Sequence, residues 1–465
     1  MQPTSDVRAR AVCGLVLARA PIPIIVLNPT CTHPFEVSSS ATLKLVGGPI
    51  RSVQVNSANL DCAAATAPSG CSGAGTIDLS AGGPSFTGSI FGVFGAPSTP
   101  PSNFIPGTTG SWSNTAPISD PYMQTPPPST PLAPVSPPDD TAFQACATAA
   151  GAPAAVSSFT CAGKGVPCPN VPGPIPGSCP GWWGCPDHSG CDEYTRGLYT
   201  TPIVIKNKTA IFDPGIYYLQ PTSSSMDHVN CGDPGNGCVA KPTGTCYSDF
   251  TVDSNGIVRP STAPGDGSLG TMFYLSGPGS GTPPYGSTFF GANAGKPGGR
   301  IVDSYSTSNV TCPGGTLPDS RVGLPALMDG NILVGQCTTG GNYVPFDPGP
   351  PDPNAIVRGI IFFQNRDNGY GHGQASMQGG GGLLLSGTLY FHNCASTDGP
   401  GLGTSCQNPT TGYQSFFQLQ GTPGSGTFVL GNITTDELVE SGNGAVAMQL
   451  DPNAVYFILK ATLMR

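Results

Sequence analysis

The sequence predicts an all-β fold: a right-handed parallel β-helix (solenoid) carrying long irregular insertions rich in Gly, Pro and Cys. Three observations lead there. Short runs of β-branched and aromatic residues recur along most of the chain, with helix start and stop signals nearly absent. A pattern of one apolar residue and two aromatics marks five of these runs: Ile216-Tyr217-Tyr218, Met272-Phe273-Tyr274, Ile361-Phe362-Phe363, Leu389-Tyr390-Phe391 and Val455-Tyr456-Phe457. The spacing between copies is irregular, which fits stacked coils with unequal loops better than an array of fixed period. The rival fold, a set of β-sandwiches, would need stricter alternation and more even turns.

Residues 1–96 read as N-terminal β-helix coils. Ile22–Leu27, Ala41–Val46, Ile50–Val55, Thr76–Leu79 and Phe86–Phe94 are strand-like, and Asn28-Pro29, Gly47-Gly48-Pro49 and Gly82-Gly83-Pro84 punctuate them. Residues 97–200 read as a Pro/Cys-rich insertion or linker, with polyproline-like stretches at Pro100-Pro101, Pro126-Pro127-Pro128 and Pro137-Pro138. Residues 201–465 form the main β-helix with loop insertions. Its strands are expected at Ile203–Ile205, Thr209–Phe212, Gly215–Leu219, Thr271–Leu275, Arg300–Asp303, Gly330–Val334, Gly359–Phe363, Leu383–Phe391, Ser415–Leu419, Thr427–Leu430, Ala445–Gln449 and Ala454–Leu459.

The stretch 356–393 centres this reading. Gly359–Phe363 and Leu383–Phe391 are expected to lie in neighbouring coils, with Phe362, Phe363, Tyr390 and Phe391 as rungs. The glycine-rich span between them is then an insertion loop. Adjacent strand residues point to opposite faces, so one aromatic of each pair belongs to the core and the other faces outward.

Charged residues make up 10% of the 465-residue chain, and 18 basic against 27 acidic residues leave −9. There is no Lys/Arg cluster, which argues against nucleic acid as a partner. So few charges among many Ser, Thr, Asn and Gly suit an extracellular surface or one buried in an assembly. No run of about 18 apolar residues occurs, so no helical membrane span is expected. Arg8 and Arg10 before AVCGLVLA, with Ala18-Arg19-Ala20, make a poor signal peptide. A first strand is the preferred reading.

Seventeen cysteines fall in local groups inside Gly/Pro-rich segments. Candidate disulfide formers are Cys31; Cys62 and Cys71; Cys161 and Cys168; Cys179, Cys185 and Cys191; Cys231, Cys238 and Cys246; Cys312 and Cys337; and Cys394 and Cys406. That usage points to an oxidising, extracytoplasmic compartment. The odd count leaves one thiol over, for which Cys13 is the candidate.

No catalytic, cofactor or metal site is expected. Polysaccharide-cleaving β-helices need convergent carboxylates, or acidic Ca²⁺ ligands with a basic residue. Asp213, Asp329, Arg366 and Asp367 are the candidates, and none forms a local constellation. Asp139-Asp140 reads as a loop or cap, and Asp213 as a turn residue. His33, His188, His228, His372 and His392 are scattered. Cys185 to Cys191 lacks zinc spacing. Gly277–Gly281 and Gly379–Gly382 lack the trailing Lys of a phosphate loop. Asn207, Asn309 and Asn432 head glycosylation sequons that a Thr-rich chain produces by chance.

Several short pieces, in order, resemble the extracellular β-rich region of the TadE/TadG-like Flp pilus-assembly proteins of bacteria. They are Ala9-Arg10-Ala11-Val12 with Ile25-Val26-Leu27-Asn28-Pro29; Gln54-Val55-Asn56-Ser57; Asp120-Pro121-Tyr122 before a Pro run; Phe212 to Leu219; Gly359 to Gln364; and Gly387 to Phe391. The family's N-terminal membrane helix has no counterpart here, and the Cys-rich insertions are heavier. The resemblance implies a non-catalytic structural or adhesive protein whose partners are cell-surface or pilus components. The alternatives are a glycan-binding or glycan-cleaving β-helix and a self-associating filament subunit.

Overall fold

The computed structural model describes residues 12–133 and 191–462, together with the short strand Val166–Pro167. The longest gaps within those spans are 230–245, 261–269, 277–287, 295–331, 367–373 and 393–414. The described residues form an all-β protein whose only regular helix is short, a 3-10 turn at Pro353–Val357 among the described residues. Most strands belong to three sheets of ten, eight and eleven strands, called here the first, second and third. Within each, neighbours are parallel, apart from Val166–Pro167 on the third.

The chain visits the sheets in rotation. Ile360–Gln364 lies in the first sheet, Gln374–Gly379 in the second and Leu383–Ser386 in the third. Thr388–Phe391 then returns to the first sheet, beside Ile360–Gln364. Two expectations are corrected here. The stretch 383–391 is two strands, broken at Gly387, whose φ of +131° is a glycine conformation. A Cβ at Gly387 would also sit 2.9 Å from the Gly359 carbonyl oxygen of the adjacent turn. The glycine-rich span between the two strands of the first sheet is not only a loop, because it supplies the second-sheet strand Gln374–Gly379, with Ala375 and Met377 in the core.

Four of the five aromatic pairs straddle the first sheet; the fifth, Tyr456-Phe457, begins a strand that pairs antiparallel with Val12–Ala18 in a separate two-stranded sheet, not in a coil as expected. Tyr217, Phe273 and Phe362 stack inside, with ring centroids 5.1 and 5.2 Å apart. Their chain neighbours Tyr218, Tyr274, Phe363 and Tyr390 pack in file on the outer face, 4.7, 5.5 and 5.1 Å apart. Tyr390 and Phe391 are reversed in order, with Phe391 inside. The side chains of the fifth pair lie outside the described residues. Inward residues of all three sheets merge into one hydrophobic cluster: Phe273 and Phe362 from the first, Phe250 and Phe417 from the second, Phe212 and Leu385 from the third. Such burial of large apolar side chains is worth about 1.5–3 kcal/mol each.

Order along the chain differs from order in the stack. The turn made by Ile433–Thr435, Glu437–Gly442 and Ala445–Gln449 comes last in sequence. On it sit Ile24–Val26, Phe35–Val37 and Thr42–Gly47, in parallel register Ile24 to Ile433, Phe35 to Leu438 and Leu43 to Val446. Arg51–Val55, Ala64–Ala65 and Thr76–Gly82 follow, then Ile90–Val93, Phe104–Ile105 and Ser111–Asn114. Segments 1–96 and 201–465 therefore share the same three sheets, and 97–114 still contributes strands. Trp112 covers the core at this end, stacked 4.2 Å from Phe91 with its indole N–H donated to the Pro97 carbonyl.

Corners are tied by side chains. Asn28 Oδ1 accepts from the backbone N–H groups of Thr30 and Cys31. One turn on, Asn59 Oδ1 does the same for Asp61 and Cys62. These are Asx-type turns. Cys62 is bonded to Cys71, and Cys31 is also in a disulfide. The side chains of the other candidate cysteines, and of Cys13, lie outside the described residues.

From Asn114 the chain must return to the opposite end of the stack, where Gly197–Tyr199 begins the first sheet. It does so along the outer face of that sheet. Ile118 bonds Asn56, Tyr122 meets Thr388, Ser129 meets Asn354, and Leu132 accepts from Leu198 N–H. Burial along this strap recurs every third residue: Tyr122, Thr125 and Pro128 are buried and Pro131 partly so, while Pro126, Pro127, Ser129, Thr130, Leu132 and Ala133 are exposed. A period of three, in a run with four prolines, is that of a polyproline II helix lying with one edge down.

Candidate functional site

The outer face of the first sheet must be covered, because its aromatics are apolar. Ile118 packs on Ile22, Ile25 and Leu27. Tyr122, Phe346 and Val357 pack on Ile216, Met272, Tyr274, Ile360, Phe363 and Tyr390. Between these apolar patches lies a buried charged cluster: Asp120 from the strap, Tyr390 from the first sheet, Arg366 and His392 just past the ends of its strands, and Asp436 from a corner. It is built from short local features. Asp120 precedes Pro121, and its Oδ1 accepts from Tyr122 N–H at 2.8 Å, an Asx turn that aims Oδ2 at the sheet. Tyr390 alternates outward from Leu389 and Phe391.

The Tyr390 hydroxyl donates to Asp120 Oδ2 at 2.6 Å. Burial, the charge on Asp120 and this hydrogen bond raise the Tyr390 phenol well above its ordinary range, so it stays a donor. Arg366 Nη1 donates to the Tyr122 carbonyl at 2.6 Å and lies 3.8 Å from Asp120 Oδ2. Its Nη2 donates to the Thr125 carbonyl. The guanidinium carbon stands 5.9 Å from the ring centres of both Phe363 and Tyr390. His392 Nδ1 lies 2.5 Å from Asp436 Oδ1, and Asp436 Oδ2 accepts from Ser415 N–H at 3.0 Å. The other imidazole nitrogen, Nε2, is 4.0 Å from Asp120 Oδ2.

Carboxylate, imidazole, phenol and guanidinium are the components of acid–base chemistry. Here Asp436 is 0%, His392 1%, Arg366 5% and Asp120 9% exposed. Their contacts include one another, rings, and backbone carbonyl and N–H groups. The arrangement is a clamp: it neutralises Arg366 in a low-dielectric site and fixes three strap residues to the sheet.

The sequence-derived candidates scatter. Arg366 enters the clamp, where its carbonyl partners Tyr122 and Thr125 lie 244 and 241 residues away in the chain. Asp213 occupies the corner between Thr209–Phe212 and Gly215–Leu219, with its carbonyl accepting from the Tyr217 hydroxyl at 2.9 Å. Asp139, Asp140, Asp329, Asp367, His188, His372 and Asn309 lie outside the described residues, as does the side chain of His228. His33 is buried with φ +59°, and burial lowers its pKa. Asn207 is exposed in a turn, whereas Asn432 is buried. Among the described residues no group of three His, Cys, Asp or Glu side chains is placed to hold a metal. No described helix is long and apolar enough to cross a membrane.

Reading the sequence alone passes over Asp436 and gives Asp120 and His392 no role. Asp120-Pro121-Tyr122 at the head of a proline run is the one local signal that could have pointed to the clamp. No protein-family model, curated protein or solved structure matches this chain.

Proposed function

We propose that this chain is a non-catalytic extracytoplasmic protein with a structural or adhesive role, built as a right-handed parallel β-helix. Rotation of the chain through three parallel sheets around one core supports that architecture. The observation that carries the functional reading is the clamp. Asp120, Arg366, Tyr390, His392 and Asp436 converge as an acid–base set would, but at the buried junction of strap and sheet, where Arg366 and Tyr390 hold the strap. The disulfides of Cys62–Cys71 and Cys31 support an oxidising compartment. The link to Flp/Tad-type pilus assembly or the bacterial surface is part of the proposal and rests on the ordered motifs from Ala9 to Phe391.

The test has two arms. Incubation with a panel of polysaccharides should release no new reducing ends, and mass mapping of non-reduced peptides should find most of the 17 cysteines paired. Cleavage that is abolished in Asp120→Asn and His392→Ala would replace this reading by a glycan-cleaving enzyme. Predominantly free thiols would remove the oxidising compartment.

A further inference from the structure

We propose that the joint between the first and last turns is exchangeable, and that it accepts residues 12–133 of a second copy of this chain. The inference rests on strand pairing and stands apart from the structural role above. Two units meet at this joint. Residues 12–133 hold the early turns and the strap, and residues 191–462 hold the remaining turns. They touch through three parallel ladders, through the strap and clamp, and through an antiparallel pair of Val12–Ala18 with Tyr456–Thr462. Backbone bonds knit the ladders closely: Ile433 N–H to the Pro23 carbonyl at 2.7 Å, Leu27 N–H to Thr435 at 2.8 Å, Leu438 N–H to Pro34 at 2.7 Å, and Ser38 N–H to Glu440 at 2.8 Å.

None of these contacts requires both units to belong to one chain. Between Ala133 and Val166 run residues 134–165, thirty-two in number. Extended, that many residues reach about 100 Å. The same contacts can therefore form between copies without new surface chemistry, at the cost of association entropy. Until unit 12–133 is seated, the last turn presents three unpaired parallel edges in Ile433–Thr435, Glu437–Gly442 and Ala445–Gln449. Those edges are synthesised after 12–133, and identical edges on a neighbouring chain are equivalent seats. Reciprocal exchange gives a closed two-fold dimer. Exchange passed on from copy to copy gives a linear chain.

The test uses full-length chains with two affinity tags, co-expressed in pairs. Ile24→Asp damages the seated face of the early unit, and Ile433→Asp damages the seat; both side chains are fully buried at the joint. Ile24→Asp with Ile433→Asp leaves one sound unit and one sound seat, on different chains. Tandem purification and light scattering should recover a mixed-tag dimer of twice 47.1 kDa from this pair. Its yield should exceed at least five-fold that from Ile24→Asp paired with itself. A wild-type pair should give mixed-tag dimers and larger multiples. Equal yields from the matched and mismatched pairs would place association on another surface and overturn the proposal. Absence of mixed-tag species from both the variant pair and the wild-type pair would also overturn it.

Discussion

The outer faces of the first and second sheets are both buried, yet they are made of different residues. The first carries a file of aromatics, Tyr218, Tyr274, Phe363 and Tyr390. In the second, the corresponding file runs Thr251, Phe289, Ser376, Gln418, Val439 and Glu36: mostly polar, with Thr251, Ser376, Gln418 and Glu36 at 0, 1, 7 and 2% exposed, and interrupted by Phe289 and Val439. An apolar face gains from any cover that excludes water, and the strap provides one with a single charged clamp. A polar face gains only where each donor and acceptor finds a partner. The apolar face should therefore dominate stability, and the polar face should contribute little or oppose it.

Five substitutions bear on that contrast, in order of expected effect. Phe273→Ala, in the shared inner stack beneath both faces, should lower unfolding free energy in urea by about 3–5 kcal/mol. Tyr274→Ala next to it should cost less, because the strap can settle into the space. Arg366→Met removes the cation from the clamp and leaves Asp120 buried, at a cost of about 3 kcal/mol. Limited proteolysis should then cut first between residues 115 and 133. Tyr390→Phe removes only the hydroxyl given to Asp120, and about 1.5–3 kcal/mol should be lost, as for hydrogen bonds to charged groups.

Glu36→Gln on the polar face should have the smallest effect and the opposite sign. Burial raises the Glu36 carboxyl above its ordinary 4.5, although Ser38 donates a hydrogen bond that offsets part of the rise. The folded chain thus holds this proton more tightly than the unfolded chain does. Its contribution to stability is complete below pH 4.5 and falls as pH rises through the folded value. The Gln variant should melt higher than the parent at pH 7, and the difference should vanish near pH 4. A lower Tm at pH 7 would show that the carboxylate is well paired and that the two faces are more alike than their residues indicate.

The same contrast explains what could be read from sequence. Strands of the first and third sheets, such as Gly215–Leu219, Thr271–Leu275 and Ala445–Gln449, are near-continuous apolar runs and stand out. Most of the second sheet did not: Phe35–Val37, Phe250–Asp253, Thr288–Phe290, Gln374–Gly379 and Glu437–Gly442 mix core residues with outward polar ones over three to six positions. Such segments read as loops. The doubled aromatics disclosed an inside and an outside, but not what covers the outside. Nor does hydrophobic pattern say which turn sits on which, since Ile24 could pair with any equivalent Ile, Leu or Phe. The clamp was illegible for that reason. Asp120 and Arg366 become partners only because the strands of 24–114 stack on those of 433–449 and the chain then comes back along one face.

The ribbon of Val12–Ala18 and Tyr456–Thr462 has a mechanical consequence. Val12 lies opposite Thr462, and Ala18 opposite Tyr456, so the two outer ends of the ribbon are side by side. Tension applied at those ends loads its backbone bonds one rung at a time, as in opening a zipper, instead of shearing all seven registered pairs together. The ribbon should give way at low force and lengthen the molecule before load reaches the ladder between Ile24 and Ile433. There the pull would meet parallel strands across three sheets and a strap bound along one side, so extension should proceed in two steps of very different resistance.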